Sequence, residues 1–365
     1  MKITAVRSKI ALLPADEPLA GAAVDPNGTR PIVTLSVETD EGVTGLGVTY
    51  FGAGLTKTLK SAVEELGELA VGEDPLRVER VAAKLKEAAG SAGPSGIFTL
   101  ALSALDIALW DIRGKALGLP LWKLLGGAHE RVPTYASGAL MRGLPLDRLL
   151  QAGASLKERG WTAMKTQLAL PGETSPGIEI DRIRRLREAI GPETLLMCDI
   201  NQRWRPEEAI LMGRRMEEEG VGLFWLEDPT QRDDYQGLAR ITAALTTPVA
   251  AGEYVYGIRP FRHICEARSV DIVMIDLVRV GGITEWLKVA GMAEAFNLPV
   301  VSHLIPEIHV HLIGAIPNGL TVEYMPWLSR LFEEVPRPQK GELAMPAAPG
   351  LGLTFDEKAL ARYAA

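Results

Sequence analysis

The stretch TLLMCDINQRWRPEEAILMGRRMEEEGVGLFWLEDP, residues 194–229, decides the architecture. It opens on an apolar run, Leu195 to Cys198, that stops at Asp199. An amphipathic helical segment follows, PEEAILMGRRMEEEG, and a glycine break leads to a second apolar run closed by Glu227. Strands that are apolar throughout have both faces buried, and a helix between two of them makes them parallel neighbours.

The same unit recurs on both sides. TAMKTQL leads to IEIDRIRRLREAIG, PVAAGEY to GIRPFRHICEA, and VDIVMID to GITEWLKVAGMAEAFN, while PVVSHLI and LTVEYMP follow. With YASGAL near residue 135 as the first, eight strand candidates fall within residues 131–329, which predicts an α/β fold, a (β/α)8 barrel. A doubly wound sheet is the rival, but GVTGLGVTYFGAG does not match its glycine-rich phosphate turn and opens no helix directly.

Residues 1–130 have another texture. ITAVRSKIALL, PIVTLSVETD and GVTGLGVTY read as an antiparallel meander. From Leu55 to Leu125 the period turns helical, an α+β arrangement. Asp106 and Asp111 in the last of these helices read as polar exits from an amphipathic face. Between the first two strands lies the long loop PADEPLAGAAVDPNGTR.

Composition narrows the function classes. With 365 residues, 47% of them hydrophobic, the chain can fill a large core and a smaller one. A formal charge of −7, with basic residues scattered among acids, excludes a polyanionic nucleic-acid partner. No apolar run approaches a membrane span, and the start does not read as a signal peptide, so a cytoplasmic protein is expected. Cys198 and Cys265 are expected to be buried thiols.

Seven successive strands end on an ionisable residue: Lys165, Asp199, Glu227, Glu253, Asp276, His303 and Glu323. Buried ionisable groups are costly unless paired or metal-bound, and the carboxyl ends of barrel strands are where active sites form. Asp199, Glu227 and Glu253 lie on adjacent strands and are expected to converge on a divalent cation. All-oxygen ligation suits Mg²⁺, with Mn²⁺ as the alternative. Asp276 can orient the His303 imidazole as a base, Asn201 can donate to a substrate oxygen, and Lys165 is expected across the trio as a fixed positive charge. Glu323 can bond a ligand oxygen if it holds a proton or meets a hydroxyl. A metal opposite a poised base suits removal of a proton next to a carboxylate, so the expected partner is a small carboxylate.

The motifs AMKTQ, CDINQ, WLEDPT, AAGEY, MIDLVRVGG, VSHL and LTVEY, with SALDIALWDIRGKALGLPLWKLLGG upstream, resemble the mandelate racemase subgroup of the enolase superfamily. The likeness runs over essentially the whole chain and is greatest to acid-sugar dehydratases of the talarate/galactarate type. It implies a capping domain from residues 1–130, completed by 330–365, above the barrel. It also implies a symmetric homo-oligomer, commonly an octamer. In the family's terms, Asp199, Glu227 and Glu253 match the metal ligands, Asp276 and His303 the acid/base dyad, and Asn201 and Glu323 groups near the substrate. Lys165 matches the first lysine of a K-x-K motif, which helps polarise the substrate carboxylate. Gln167 stands where the second lysine, a base on the opposite face, is usual.

An amide cannot take a proton from carbon, so two-base racemisation is disfavoured, and Asp276 stands where a muconate-type lactonising enzyme has lysine. One-base dehydration of a polyhydroxy acid to a 2-keto-3-deoxy acid is the leading expectation, with His303 serving both steps and Gln167 bonding a substrate hydroxyl. A racemase or epimerase is the alternative, and a non-catalytic barrel a third. Asp25, Asn27 and Arg30 in that loop and Tyr50-Phe51 in the next are candidate substrate contacts that each also read as ordinary loop residues, and Arg30 is placed first, as the one to meet a distal carboxylate or hydroxyl. Arg279 reads ambiguously. His129, His263, His309 and His311 read as structural.

Overall fold

A computed structural model describes the chain except residues 21, 24–27, 51–53 and 174, and the side chains of residues 22 and 23. Three antiparallel strands open it, β1 (Ile3–Pro14), β2 (Thr29–Thr39) and β3 (Thr44–Thr49), in the order β1-β2-β3. Helices α1 (Thr56–Ala70), α2 (Val78–Ala89) and α3 (Gly96–Leu117) follow. Helix α3 packs so closely on β3 that a side chain at Gly47 would sit 2.0 Å from the Ala104 carbonyl oxygen. Only glycine allows that approach.

Asp106 and Asp111 are not polar exits. Both are buried within α3, which is apolar nearly all round. Asp106 accepts from the Thr284 amide at 2.9 Å, and Asp111 from the amides of Leu46 and Leu351 at 2.9 and 2.8 Å. Each carboxylate serves backbone donors of neighbouring segments that would otherwise be buried unpaired.

The barrel is β4 (Arg131–Leu140), β5 (Ala163–Gln167), β6 (Leu195–Asp199), β7 (Leu223–Glu227), β8 (Val249–Ala251), β9 (Ile272–Asp276), β10 (Val300–His303) and β11 (Gly319–Tyr324). Parallel neighbours follow in chain order, and β11 closes on β4 through Val322–Thr134, Glu323–Tyr135 and Tyr324–Ala136. The expected (β/α)8 barrel is therefore present. Its outer helices include α4 (Leu146–Glu158), α5 (Pro176–Ile190), α6 (Pro206–Glu218), α7 (Tyr235–Ala244), α8 (Arg259–Glu266), α9 (Ile283–Ala295) and α10 (Pro306–Ala315).

The interior explains where the site lies. Tyr135, Ala163, Met197, Trp225, Met274 and Val301 pack together as a plug inside the barrel. Side chains two apart along a strand share a face. Each of Lys165, Asp199, Glu227, Asp276 and His303 lies two residues beyond a plug residue, so each points inward, one layer above. The tail touches both parts: β12 (Glu342–Ala344) pairs with β4, while the Leu12 amide donates to the Tyr363 carbonyl. Among the described residues no helix is long and apolar enough to cross a membrane.

Candidate active site

Register brings the charged strand ends level. Gln167 pairs with Asp199, Asp199 with Glu227, and Asp276 with His303. Glu253 is different, because β8 ends at Ala251 rather than at Glu253. Gly252, at φ +131°, turns the chain so closely that a side chain there would meet the Met274 carbonyl oxygen at 2.4 Å. Buried Asp228, a residue the sequence reading passed over beside Glu227, accepts a bond from the Gly252 amide and so braces this turn.

A cavity of about 410 Å³ opens above these residues, lined by Lys165, Asp199, Glu253, His303 and Glu323 on the strand side. His303 Nδ1 is 2.6 Å from Asp276 Oδ2, and its Nε2 faces Glu253 Oε2 at 3.3 Å. Burial opposes the imidazolium, but Glu253, Asp276 and Glu323 overcome that and raise the imidazole above its ordinary value. Asp276 is pulled below the usual range despite its burial, because Arg279 and His303 stand beside it. Its Oδ1 caps the turn beyond β9 by accepting from the amides of Val278 and Arg279.

Lys165 does not stand apart as a fixed charge across the trio. Its ammonium contacts Glu227 directly and lies 2.8 Å from Glu323. Burial disfavours the cation, yet Glu227 and Glu323 hold Lys165 well above its ordinary value, so it stays an ammonium. Burial likewise works against an ionised Glu323, but Lys165 and His303 draw it down to about 2. It is an acceptor, taking the Leu304 amide at 2.7 Å, and a ligand must meet it with a donor.

The expected metal trio is only partly assembled. No three His, Cys, Asp or Glu side chains among the described residues already surround one point. Glu227 has both oxygens engaged, by Lys165 and by Trp225 Nε1 at 2.9 Å, so a metal there competes with the lysine. The chemistry nevertheless fits a hard cation. Glu253 Oε2 is buried without a hydrogen bond. Burial pushes Asp199 up to about 6 and Glu227 well above its usual range even with Lys165 beside them, so the one ammonium does not offset the crowded carboxylates. Carboxylates alone favour a hard, oxygen-loving ion over zinc.

In an eight-stranded barrel β6 stands opposite β10. Asn201, just beyond β6 at φ +50°, donates to Asp199 Oδ2 at 2.6 Å and to the Tyr254 hydroxyl at 3.1 Å. Gln167 Nε2 reaches Asn201 Oδ1 at 3.2 Å. Behind them Arg142 donates to Asn201 Oδ1 at 2.5 Å and to the Asp199 carbonyl at 3.3 Å. Arg142 and Tyr254 were not singled out from the sequence, since each sits in a loop with no periodic spacing.

Arg30 lines the cavity, but its guanidinium is already paired. It pairs with Glu17 at 3.1 Å, reaches the carbonyls of Pro14 and Asp16, and stacks 3.7 Å from the centre of the Trp327 ring. Glu17 and Trp327 escaped the sequence reading because their contact spans 310 positions. Asp25, Asn27 and Phe51 lie outside the described residues. Cys198 and Cys265 are buried free thiols, as expected.

Residues 148–359 match the enolase C-terminal domain-like family, and residues 8–126 the mandelate racemase / muconate lactonizing enzyme N-terminal domain. The L-talarate/galactarate dehydratase of Salmonella typhimurium is 33% identical over 363 residues, 98% of this chain and 90% of that one. A 3,6-anhydro-alpha-L-galactonate cycloisomerase of Streptomyces coelicolor is 32% identical over 91% of each chain. The crystal structure of L-talarate dehydratase from Polaromonas sp. JS666, complexed with Mg and L-glucarate, superposes with a TM-score of 0.91. It is 33% identical and the match covers 100% of this chain and 97% of that one.

Proposed function

The chain belongs to the mandelate racemase / muconate lactonizing enzyme family of the enolase superfamily, and from that premise we propose that it is a Mg²⁺-dependent acid-sugar dehydratase. The reaction removes the proton next to the substrate carboxylate and expels the β-hydroxyl, giving a 2-keto-3-deoxy acid. One observation carries this reading: His303, oriented by Asp276, shares the cavity with Gln167 and Asn201, whose amides cannot take a proton from carbon.

Asp199, Glu227 and Glu253 would hold the metal, which when bound supplies Lewis-acid charge against the substrate carboxylate. The residues do the rest. Asp276 fixes the imidazole through Nδ1, leaving Nε2 to take the α-proton. The same nitrogen then returns a proton to the departing hydroxyl on that face. Lys165, kept as an ammonium, counters negative charge growing on the carboxylate oxygens. Glu323 accepts from a substrate hydroxyl.

An epimerase needs a second base opposite His303. Lys165 is held protonated by two carboxylates, and Gln167 is an amide. Recovered substrate from a reaction in D₂O should therefore carry no inverted α-carbon. For the leading reading, His303→Asn should lower keto-acid release by about 10³-fold while calorimetry still shows Mg²⁺ binding. Near-normal turnover by that variant would end the proposal.

A further inference from the structure

We propose that the substrate of this site is an aldonic acid, charged at its reacting end only, and not an aldaric acid charged at both. The inference rests on the dehydratase reading and names the substrate class within it.

The two ends of the cavity differ in the charge they can offer. At the strand end stand Lys165 and the carboxylates proposed to hold the metal, enough positive charge for one substrate carboxylate. The rest of the lining comes from the cap and from segments just beyond the first and last barrel strands, including Pro31, Tyr50, Met141, Met325 and Trp327. A second carboxylate would have to find its cation there. Burying one without a cation is costly.

Two guanidiniums reach the cavity besides the Lys165 ammonium, and both are already committed. Arg30 is neutralised by Glu17 at 3.1 Å, spends further donors on two carbonyls, and lies flat on Trp327. Arg279 lies 3.6 Å from Asp276 and donates to the Glu253 carbonyl at 2.9 Å, so moving it would unsettle the dyad itself. Arg142 serves Asn201 from behind and does not line the cavity. Arg330, which does not line the cavity, is bidentate on Asp16. The cap segments outside the described residues, 21, 24–27 and 51–53, contain no Lys or Arg in the sequence and do contain Asp25.

What that part of the lining offers is neutral. The Tyr50 hydroxyl lines the cavity within the field of Asp276 and Arg279 and is buried without a hydrogen-bond partner. Burial holds it far above the ordinary tyrosine range, so it remains a hydroxyl that both donates and accepts. Beside it lie the thioethers of Met141 and Met325 and the Trp327 ring. A terminal hydroxymethyl group satisfies such a wall with hydrogen bonds and apolar contact alone. A carboxylate would meet Glu17 behind Arg30 and no unpaired cation among the described residues that line the cavity.

The test uses the intact protein with Mg²⁺ and matched pairs: each C5 and C6 aldonate against the aldarate sharing its configuration, with 2-keto-3-deoxy acid release as the readout. In the best pair, the aldonate should be favoured in kcat/KM by about tenfold or more. Equal or better turnover of the aldarate would overturn this inference and leave the dehydratase reading standing. Keto acid from no member of the panel would overturn both. A second arm frees the cap cation: Glu17→Gln keeps an acceptor for Trp327 Nε1 but removes the charge facing Arg30. That variant should move the aldarate-to-aldonate ratio upward by about tenfold. A folded variant with an unmoved ratio would show that Arg30's pairing is not what excludes the second charge.

Discussion

Glu307 shows what one residue can hide. It follows Pro306 in the first turn of α10, is buried, and neither carboxyl oxygen has a hydrogen-bond partner beyond its own backbone amide. Burial pushes it up to about 7. In the unfolded chain a glutamate titrates near ~4.3, so folding takes up a proton between that value and about 7. Its folded value is raised, so its contribution is whole below the lower value and is lost as pH rises through the upper one. Glu307→Gln keeps the shape and removes the proton. Urea denaturation should find the variant close to wild type near pH ~4 and more stable by about 3 kcal/mol near pH ~8.5. A difference that does not change with pH would refute this account. Such a group was illegible in the sequence, because a helix buried all round has no polar face against which Glu307 stands out. Asp276 and His303 were legible for the opposite reason: an ionisable residue closing an apolar run breaks the local rule. Asp228 was masked by its neighbour Glu227, and Arg142 by the loop that carries it.

At the scale of elements, the joint between β10 and α10 is held more tightly than alternation along the chain suggests. Leu304 and Ile305, directly after His303, sit at φ +56° and +43°, a left-handed pair that costs energy for such side chains. Two clamps hold it. Glu323 accepts the Leu304 amide, and His309 Nδ1 lies 2.6 Å from the Leu304 carbonyl oxygen. Burial brings His309 down to about 4, so it is neutral at working pH and Nδ1 carries the donated proton. His309, read as structural from the sequence, clamps the turn directly after His303, and a positioning role for it is what the following variants test. An asparagine at this position can place its amide near Nδ1, whereas glutamine reaches toward Nε2, which has no partner. His309→Asn should retain kcat within a few-fold, and His309→Gln should lose about 10- to 100-fold in kcat with KM less affected. Identical losses in the two variants would remove the positioning role. The eight strand–helix units were readable because their period changes are strong. The early end of β8 was not, since AAGEY gives no sign that Gly252 bends the chain before Glu253.

At the scale of the whole molecule, the cap and the barrel meet in one continuous apolar core rather than across a wet seam. Four separate segments converge near Asp111: α3, which carries it, Leu46 of β3, the tail at Gly350–Leu351, and α10. Asp111 accepts the amides of Leu46 and Leu351, while His311 of α10 bonds the Leu351 carbonyl at 3.0 Å. Gly350, at φ +68°, approaches so closely that a side chain would lie 2.2 Å from Asp111 Oδ1. Long-range closure of this kind cannot be read from periodicity, which is why Asp111 looked like a solvent-facing residue. Asp111→Ala would leave two buried amides unpaired and should cost about 2–4 kcal/mol. Arg330→Ala breaks an exposed pair with Asp16 and should cost about 1 kcal/mol or less. Because the joint spans both parts, tryptophan fluorescence and circular dichroism should report one coincident urea transition in the wild type and in both variants. Separate transitions for cap and barrel would mean that the lid over the cavity folds independently of the strands that carry His303, and the shared core would then lose its role in setting the distance between them.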